Sequence, residues 1–123
     1  FDDAAKVPPV VHPVVRVHPS TGKKALFVNP GFTTHIVGYS RIESENLLKM
    51  LYEHATQPEF VLRHHWQPGD VLLWDNRATM HYASDDYGTA ERRMRRVTIR
   101  GGNTVGPLGQ QSHVVADPLI TVR

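Results

Sequence analysis

The chain has 123 residues, a hydrophobic fraction of 40% and a formal charge of +2. It therefore holds one modest core and is neither a strongly acidic nor a strongly basic body. It contains no cysteine, which excludes disulfides, thiolate metal sites and thiol nucleophiles.

No apolar run reaches the length of a membrane span. The first residue is Phe1, so the chain is expected to be a processed product or a piece of a longer polypeptide. The stretch 1–13 runs from polar to proline-rich, through Val7-Pro8-Pro9-Val10-Val11-His12-Pro13, and reads as an extended connector. Val14 to Val17 is rich in β-branched residues and predicts a strand. Pro19-Ser20-Thr21-Gly22 is a turn signal, and Ala25 to Val28 predicts the second strand of a hairpin.

A helix follows. Ser40 and Glu43 have the spacing of a capping box, and Leu47, Leu48, Leu51, Tyr52 and Ala55 repeat at helical spacing as one apolar stripe. Pro58 stops it. Phe60 to Trp66 then alternates, with Phe60, Leu62, His64 and Trp66 on one face of a predicted strand. Pro68-Gly69 turns the chain into Val71 to Trp74, which reads as a short buried strand. Arg92 to Arg100 reads as another, and the glycine-rich residues 101–123 as an irregular tail. The pattern is mainly β, a sandwich or barrel with one helix on the outside.

Eight histidines invite a metal reading. Spacing argues against most of them. His12 and His18 each precede a proline, His54 sits near the helix end, His64 and His65 point to opposite faces, and His113 lies in the tail. Surface or packing roles are expected for these. His81 follows a short apolar strand and the polar turn Asp75-Asn76-Arg77, and a neutral imidazole is a good ligand for first-row metals. One histidine does not make a site, and a structural role stands beside that reading. Past His81, Arg92 and Arg96 share one strand face and Arg93 and Arg95 the other. Either face suits paired hydrogen bonds to an anion, and spacing alone does not choose between them.

Several blocks taken in order resemble a known family. Trp74-Asp75-Asn76-Arg77-Ala78-Thr79-Met80-His81-Tyr82-Ala83, followed by Arg92-Arg93-Met94-Arg95-Arg96-Val97-Thr98, is similar to the end of the taurine dioxygenase family. His12-Pro13-Val14-Val15-Arg16-Val17-His18-Pro19 and Leu26-Phe27-Val28-Asn29 with Gly31-Phe32-Thr33 look like the part before it, so the likeness runs from about residue 12 to about residue 100. The resemblance implies a double-stranded β-helix, a jelly-roll form of sandwich, with one flanking helix. In this likeness residues 1–123 are the C-terminal part of a single catalytic domain.

The resemblance also implies Fe(II) held by two histidines and a carboxylate, with 2-oxoglutarate and O2 as co-substrates. By resemblance His81 is the distal histidine of that set. The other two ligands belong to a His-x-Asp or His-x-Glu motif, which no histidine of this chain forms, and are expected in polypeptide upstream of residue 1. Arg92, eleven residues after His81, matches the arginine that pairs with 2-oxoglutarate, and Arg96 the arginine that holds the substrate's anionic group. Phe32 matches an aromatic that lines the substrate pocket, and Trp74 is a possible pocket-lining residue with core filling as its other reading. His35 and Met80 stand where similar enzymes carry Arg and Gln.

The implied reaction hydroxylates a small anionic organic substrate, a sulfonate or alkyl sulfate, and releases an aldehyde with sulfite or sulfate, succinate and CO2. A cytoplasmic homo-oligomer with no nucleic-acid or membrane partner is the implied setting. The competing reading is a non-enzymatic β-domain that binds a polyanion through its arginine cluster. The 123 residues alone are expected to be inactive and aggregation-prone, because half a jelly roll exposes sheet edges.

Overall fold

The computed structural model describes residues 8–115. In chain order these carry β1 (Val10–Val11), β2 (Val15–Val17), β3 (Lys24–Leu26), α1 (Arg41–Ala55), a 3-10 turn (Pro58–Phe60) and β4 (His113–Val114).

The expected hairpin is present. β2 and β3 pair antiparallel, with Val15 opposite Leu26, Arg16 opposite Ala25 and Val17 opposite Lys24. The turn closes through His18 N–H to the Lys23 carbonyl and Gly22 N–H to the His18 carbonyl. Gly22 has φ of 69°, a left-handed conformation that glycine adopts without a Cβ penalty.

The helix also forms where its signals place it. The Ser40 hydroxyl accepts from the Glu43 N–H, and the Glu43 carboxylate accepts from the Ser40 N–H at 2.9 Å, so the capping box is complete. Removing the cap with Ser40→Ala is expected to destabilise the protein by about 1 kcal/mol, read as a lower urea midpoint. The helix packs its stripe through Leu48, which forms a small core with Val28 and Ile36, and Val14, Leu47, Leu51 and Tyr52 lie against it. Ser44 is buried on the same face, and its hydroxyl accepts the Ile36 N–H at 2.8 Å. That bond satisfies a backbone donor which burial would otherwise leave unpaired, and it fixes the 29–39 loop on the helix.

The connector and the tail are more ordered than their composition implied. β1 pairs antiparallel with β4, Val10 opposite Val114 and Val11 opposite His113. Residues 104–112 fold back on themselves through the Val105–Gln111 bridge, and Val105 accepts from Val17 N–H at 2.8 Å. Thr104 and Gly106 are buried there, and a Cβ at Gly106 would collide with the Gln110 side chain. Glycines in this stretch permit a tight turn instead of marking disorder. The last part of the expected tail, 116–123, lies outside the described residues, as does 1–7 of the connector.

Three expected strands do not form. Phe60–Trp66, Val71–Trp74 and Arg92–Arg100 have no ladder partner among the described residues. Val71–Trp74 is not buried either: Val71 and Leu73 are 94% and 87% exposed, and Val97 and Ile99 are 91% and 83% exposed. A strand is defined by the neighbour that satisfies its backbone and covers its face. The alternation survives locally, since His64 and Trp66 meet edge to face at 4.8 Å, as i and i+2 on one side of an extended chain must. What is missing is the second strand. The described residues therefore form two small sheets and one flanking helix, not a closed jelly roll.

Candidate functional site

A polar cluster joins the β2–β3 hairpin to the middle of the chain. Asp75 sits in the turn that follows Trp74. One of its carboxylate oxygens accepts from His18 Nε2 at 3.0 Å. The carboxylate also accepts from the Arg77 N–H at 2.8 Å, from Arg77 Nε at 2.8 and 3.1 Å and from Arg77 Nη2 at 2.7 Å. These bonds hold the Asp75 carboxyl well below its usual value, the Arg77 side chain contributing most and His18 next. The same contact raises Arg77.

Arg16 is buried beside this cluster, 6% exposed, with its guanidinium over the Phe27 ring at 4.8 Å. Burial lowers its pKa first, the Arg77 charge lowers it further, and Asp75 opposes both. His12 closes the row. Its ring meets Phe27 edge to face at 5.2 Å and its Nδ1 lies 2.6 Å from the Ser112 hydroxyl. Desolvation, then the charge of Arg16, lowers its pKa.

A depressed carboxylate gives a sign to the acid response. The stabilisation from Asp75 is complete above the unfolded-state pKa of about 4 and is lost as pH falls from there towards its lower folded value. Urea midpoints of the parent and Asp75→Asn are therefore expected to differ most at pH 6 and to converge below about pH 4. A gap that stays constant with pH would show that this carboxylate is not the titrating group.

His81 lies beyond the same turn. The Asp75 carbonyl accepts from Ala78 N–H, Thr79 N–H and the Thr79 hydroxyl at 3.1, 3.0 and 2.8 Å. The chain reverses there, and the His81 ring returns to meet the half-buried Trp74 ring at 4.8 Å and 50°. Trp74 is fixed in turn by Nε1 donating to Asn76 Oδ1 at 2.8 Å. Structure thus brings together two of the expected site residues, Trp74 and His81.

Among the described residues no hydrogen bond or ring contact joins the others to Trp74 or His81. The Arg92 guanidinium lies over the Tyr87 ring at 5.3 Å. Arg96 is exposed, and Phe32 is 80% exposed on the 29–33 turn. That turn is tied by Asn29, whose side chain accepts from Gly31 N–H and whose carbonyl accepts from Thr33 N–H. Next to Arg92, Arg93 donates to Glu91 at 2.6 Å, with both side chains largely exposed.

No group of three or more His, Cys, Asp or Glu side chains among the described residues could hold an ion. Two other histidines have partners of their own: His64 pairs with Asp70 at 3.1 Å, and His54 packs on the Phe60 ring. The exposed imidazole of His81 fits a single place in an iron coordination set.

His18 is the residue that sequence reasoning passed over. It was expected to be a surface or packing histidine, and it is buried but hydrogen-bonded to a carboxylate 57 residues away. No local pattern pairs two residues that distant.

The family model described as "Taurine catabolism dioxygenase TauD, TfdA family" matches residues 2–98. An alpha-ketoglutarate-dependent sulfate ester dioxygenase of Pseudomonas putida is 52% identical over 101 residues, 82% of this chain and 33% of the relative. An alkylsulfatase of Acinetobacter baylyi is 49% identical, over 80% of this chain and 31% of the relative. An alpha-ketoglutarate-dependent 2,4-dichlorophenoxyacetate dioxygenase of a Burkholderia species is 43% identical, over 85% and 35%. The crystal structure of a taurine dioxygenase from Burkholderia xenovorans superposes with a TM-score of 0.81 at 45% identity, covering 92% of this chain and 42% of that one. The chain spans about a third of the length of these curated relatives. With a family match that runs from residue 2 through His81, Arg92 and Arg96, this chain belongs to the taurine catabolism dioxygenase TauD, TfdA family.

Proposed function

We propose that the complete protein is an Fe(II)- and 2-oxoglutarate-dependent dioxygenase acting on a small anionic organic substrate, a sulfonate or alkyl sulfate. The observation that carries this reading is the exposed His81 imidazole held against Trp74 inside the region matched by the family. Iron, when bound, supplies the O2-dependent oxidation that turns 2-oxoglutarate into succinate and CO2 and hydroxylates the substrate carbon.

In this reading His81 gives one neutral nitrogen to the metal. Arg92 binds the distal carboxylate of 2-oxoglutarate through paired N–H bonds, and Arg96 binds the substrate's anionic group in the same way. Phe32 and Trp74 supply apolar walls. One imidazole and one carboxylate, from a His-x-Asp or His-x-Glu motif upstream of residue 1, complete the metal site, and the jelly roll closes around it. The relatives named for sulfate esters and alkyl sulfates favour an alkyl sulfate, with the hydroxylated carbon collapsing to an aldehyde and sulfate. A cytoplasmic homo-oligomer is the setting proposed. No helix among the described residues is long and apolar enough to cross a membrane.

The test is Fe(II)-dependent conversion of 2-oxoglutarate to succinate by the complete protein, stimulated by an alkyl sulfate with equimolar sulfate release. Stimulation by an alkyl sulfonate alone, with sulfite released, would move the substrate to the other class. The exposed stretch 92–100 keeps polyanion binding as a second reading. Steeply salt-dependent nucleic-acid binding without succinate formation would favour it.

A further inference from the structure

One continuous path of hydrogen bonds runs from the β2–β3 turn to the loop that carries His81. It begins at His18 Nδ1, which faces the backbone N–H groups of Ser20 and Thr21, each at 3.2 Å. A ring nitrogen that faces two donors must present its lone pair, so the ring proton lies on Nε2. That proton is donated to Asp75 Oδ2 at 3.0 Å. Arg77 takes up the rest of the carboxylate.

Asp75 accepts at its backbone as well as its side chain. Its carbonyl closes the turn through Ala78 and Thr79. Trp74 stands one residue before this doubly bonded residue and His81 two residues after the turn, and their rings meet across it. The separation of those two rings is therefore set by the turn, and the turn is anchored to the hairpin by one carboxylate.

We infer that Asp75 is a positioning residue for His81, held in place by a His18 tautomer that the β2–β3 turn selects. This rests on the reading of His81 as an iron ligand. The physical reason is pre-organisation. Among the described residues most of the chain from 61 to 103 is exposed and lacks a ladder, so within this chain the turn at Asp75 is what fixes the imidazole. A ligand that must be ordered on binding gives up part of its affinity to that ordering, and one already held does not.

The experiment uses the complete protein with four changes: Asp75→Asn, His18→Asn, His18→Gln and His81→Ala. Fe(II) affinity is measured by titration. The ring-proton shifts of His81, identified by their loss in His81→Ala, report the Trp74 ring current without metal.

Asp75→Asn places an amide N–H where Arg77 or His18 donates. His18→Asn keeps an acceptor for the Ser20 and Thr21 N–H groups but loses the donor to Asp75. Both are expected to weaken Fe(II) binding on the order of tenfold, the lower end of what loss of a ligand-orienting contact costs. Both also move the His81 shifts towards those of a free imidazole. His18→Gln keeps an N–H near the Nε2 position and is expected to restore both readouts, which a merely structural defect would not do.

Unchanged affinity and unchanged shifts in Asp75→Asn overturn the inference. So does a His18→Gln variant as impaired as His18→Asn. If the parent itself binds no Fe(II), the iron reading fails instead, and the ring shifts alone decide the positioning role.

Discussion

His81→Ala in the complete protein is expected to abolish Fe(II)-dependent succinate formation while leaving the fold intact. Among the described residues His81 is exposed and its ring meets Trp74, so within this chain removing the imidazole leaves no buried cavity and no stranded buried charge. For the 123-residue chain the stability change should be that of a surface substitution, within about 0.5 kcal/mol. The functional loss should be far larger. Removing a group that merely orients a metal ligand lowers affinity or activity roughly 10- to 100-fold, and removing the ligand itself should exceed that range. The two effects are read separately, by thermal melting and by coupled assay of succinate. A variant that melts like the parent and retains more than about a tenth of its activity would remove His81 from the metal site, since so small a loss lies within the outer range.

Arg92→Ala and Arg96→Ala are expected to split. Arg92→Ala should raise the 2-oxoglutarate KM and spare the substrate, and Arg96→Ala should do the reverse. Truncating one partner of a desolvated, hydrogen-bonded charge pair removes about 2–5 kcal/mol, or roughly 30-fold to several thousand-fold in affinity. Arg93, which alternates with Arg92 along the chain, provides the control. Arg93 is largely exposed and already paired with Glu91. Its pair has the character of a surface ion pair, worth about 0–1 kcal/mol, so Arg93→Ala should leave both constants nearly unchanged. Matching losses from Arg93→Ala would place the anion sites on the wrong face. In the described residues Arg92 lies over Tyr87, and binding of a keto acid would draw the guanidinium from the ring to the carboxylate. A Tyr87→Phe variant that binds 2-oxoglutarate normally would agree with that, because the ring face is retained.

Local chemistry was legible where it acts over a few residues. The capping box at Ser40 and Glu43 fixes one end of α1, and the stripe through Leu48 fixes its buried face; both need only side chains three or four positions apart. The β2–β3 hairpin followed from one β-branched run, one apolar run and the turn between them, for the same reason. The likeness to the dioxygenase family was legible too, because it lies in the order of short blocks, and the family match over residues 2–98 agrees with it.

Tertiary structure decided what depends on distant partners. Alternation in 60–66, 71–74 and 92–100 announces a face to be covered, but a ladder exists only when another strand supplies the matching N–H and C=O groups, and no described segment does. Conversely, Val10–Val11 and His113–Val114 carry weak signals of their own and pair across almost the whole chain. The link between His18 and Asp75 belongs to the same class. Each residue alone is an ordinary polar side chain beside a turn, and only the fold brings imidazole and carboxylate to 3.0 Å. Hydrogen bonds between residues far apart leave no periodic trace, since neither partner's neighbours are altered by the contact.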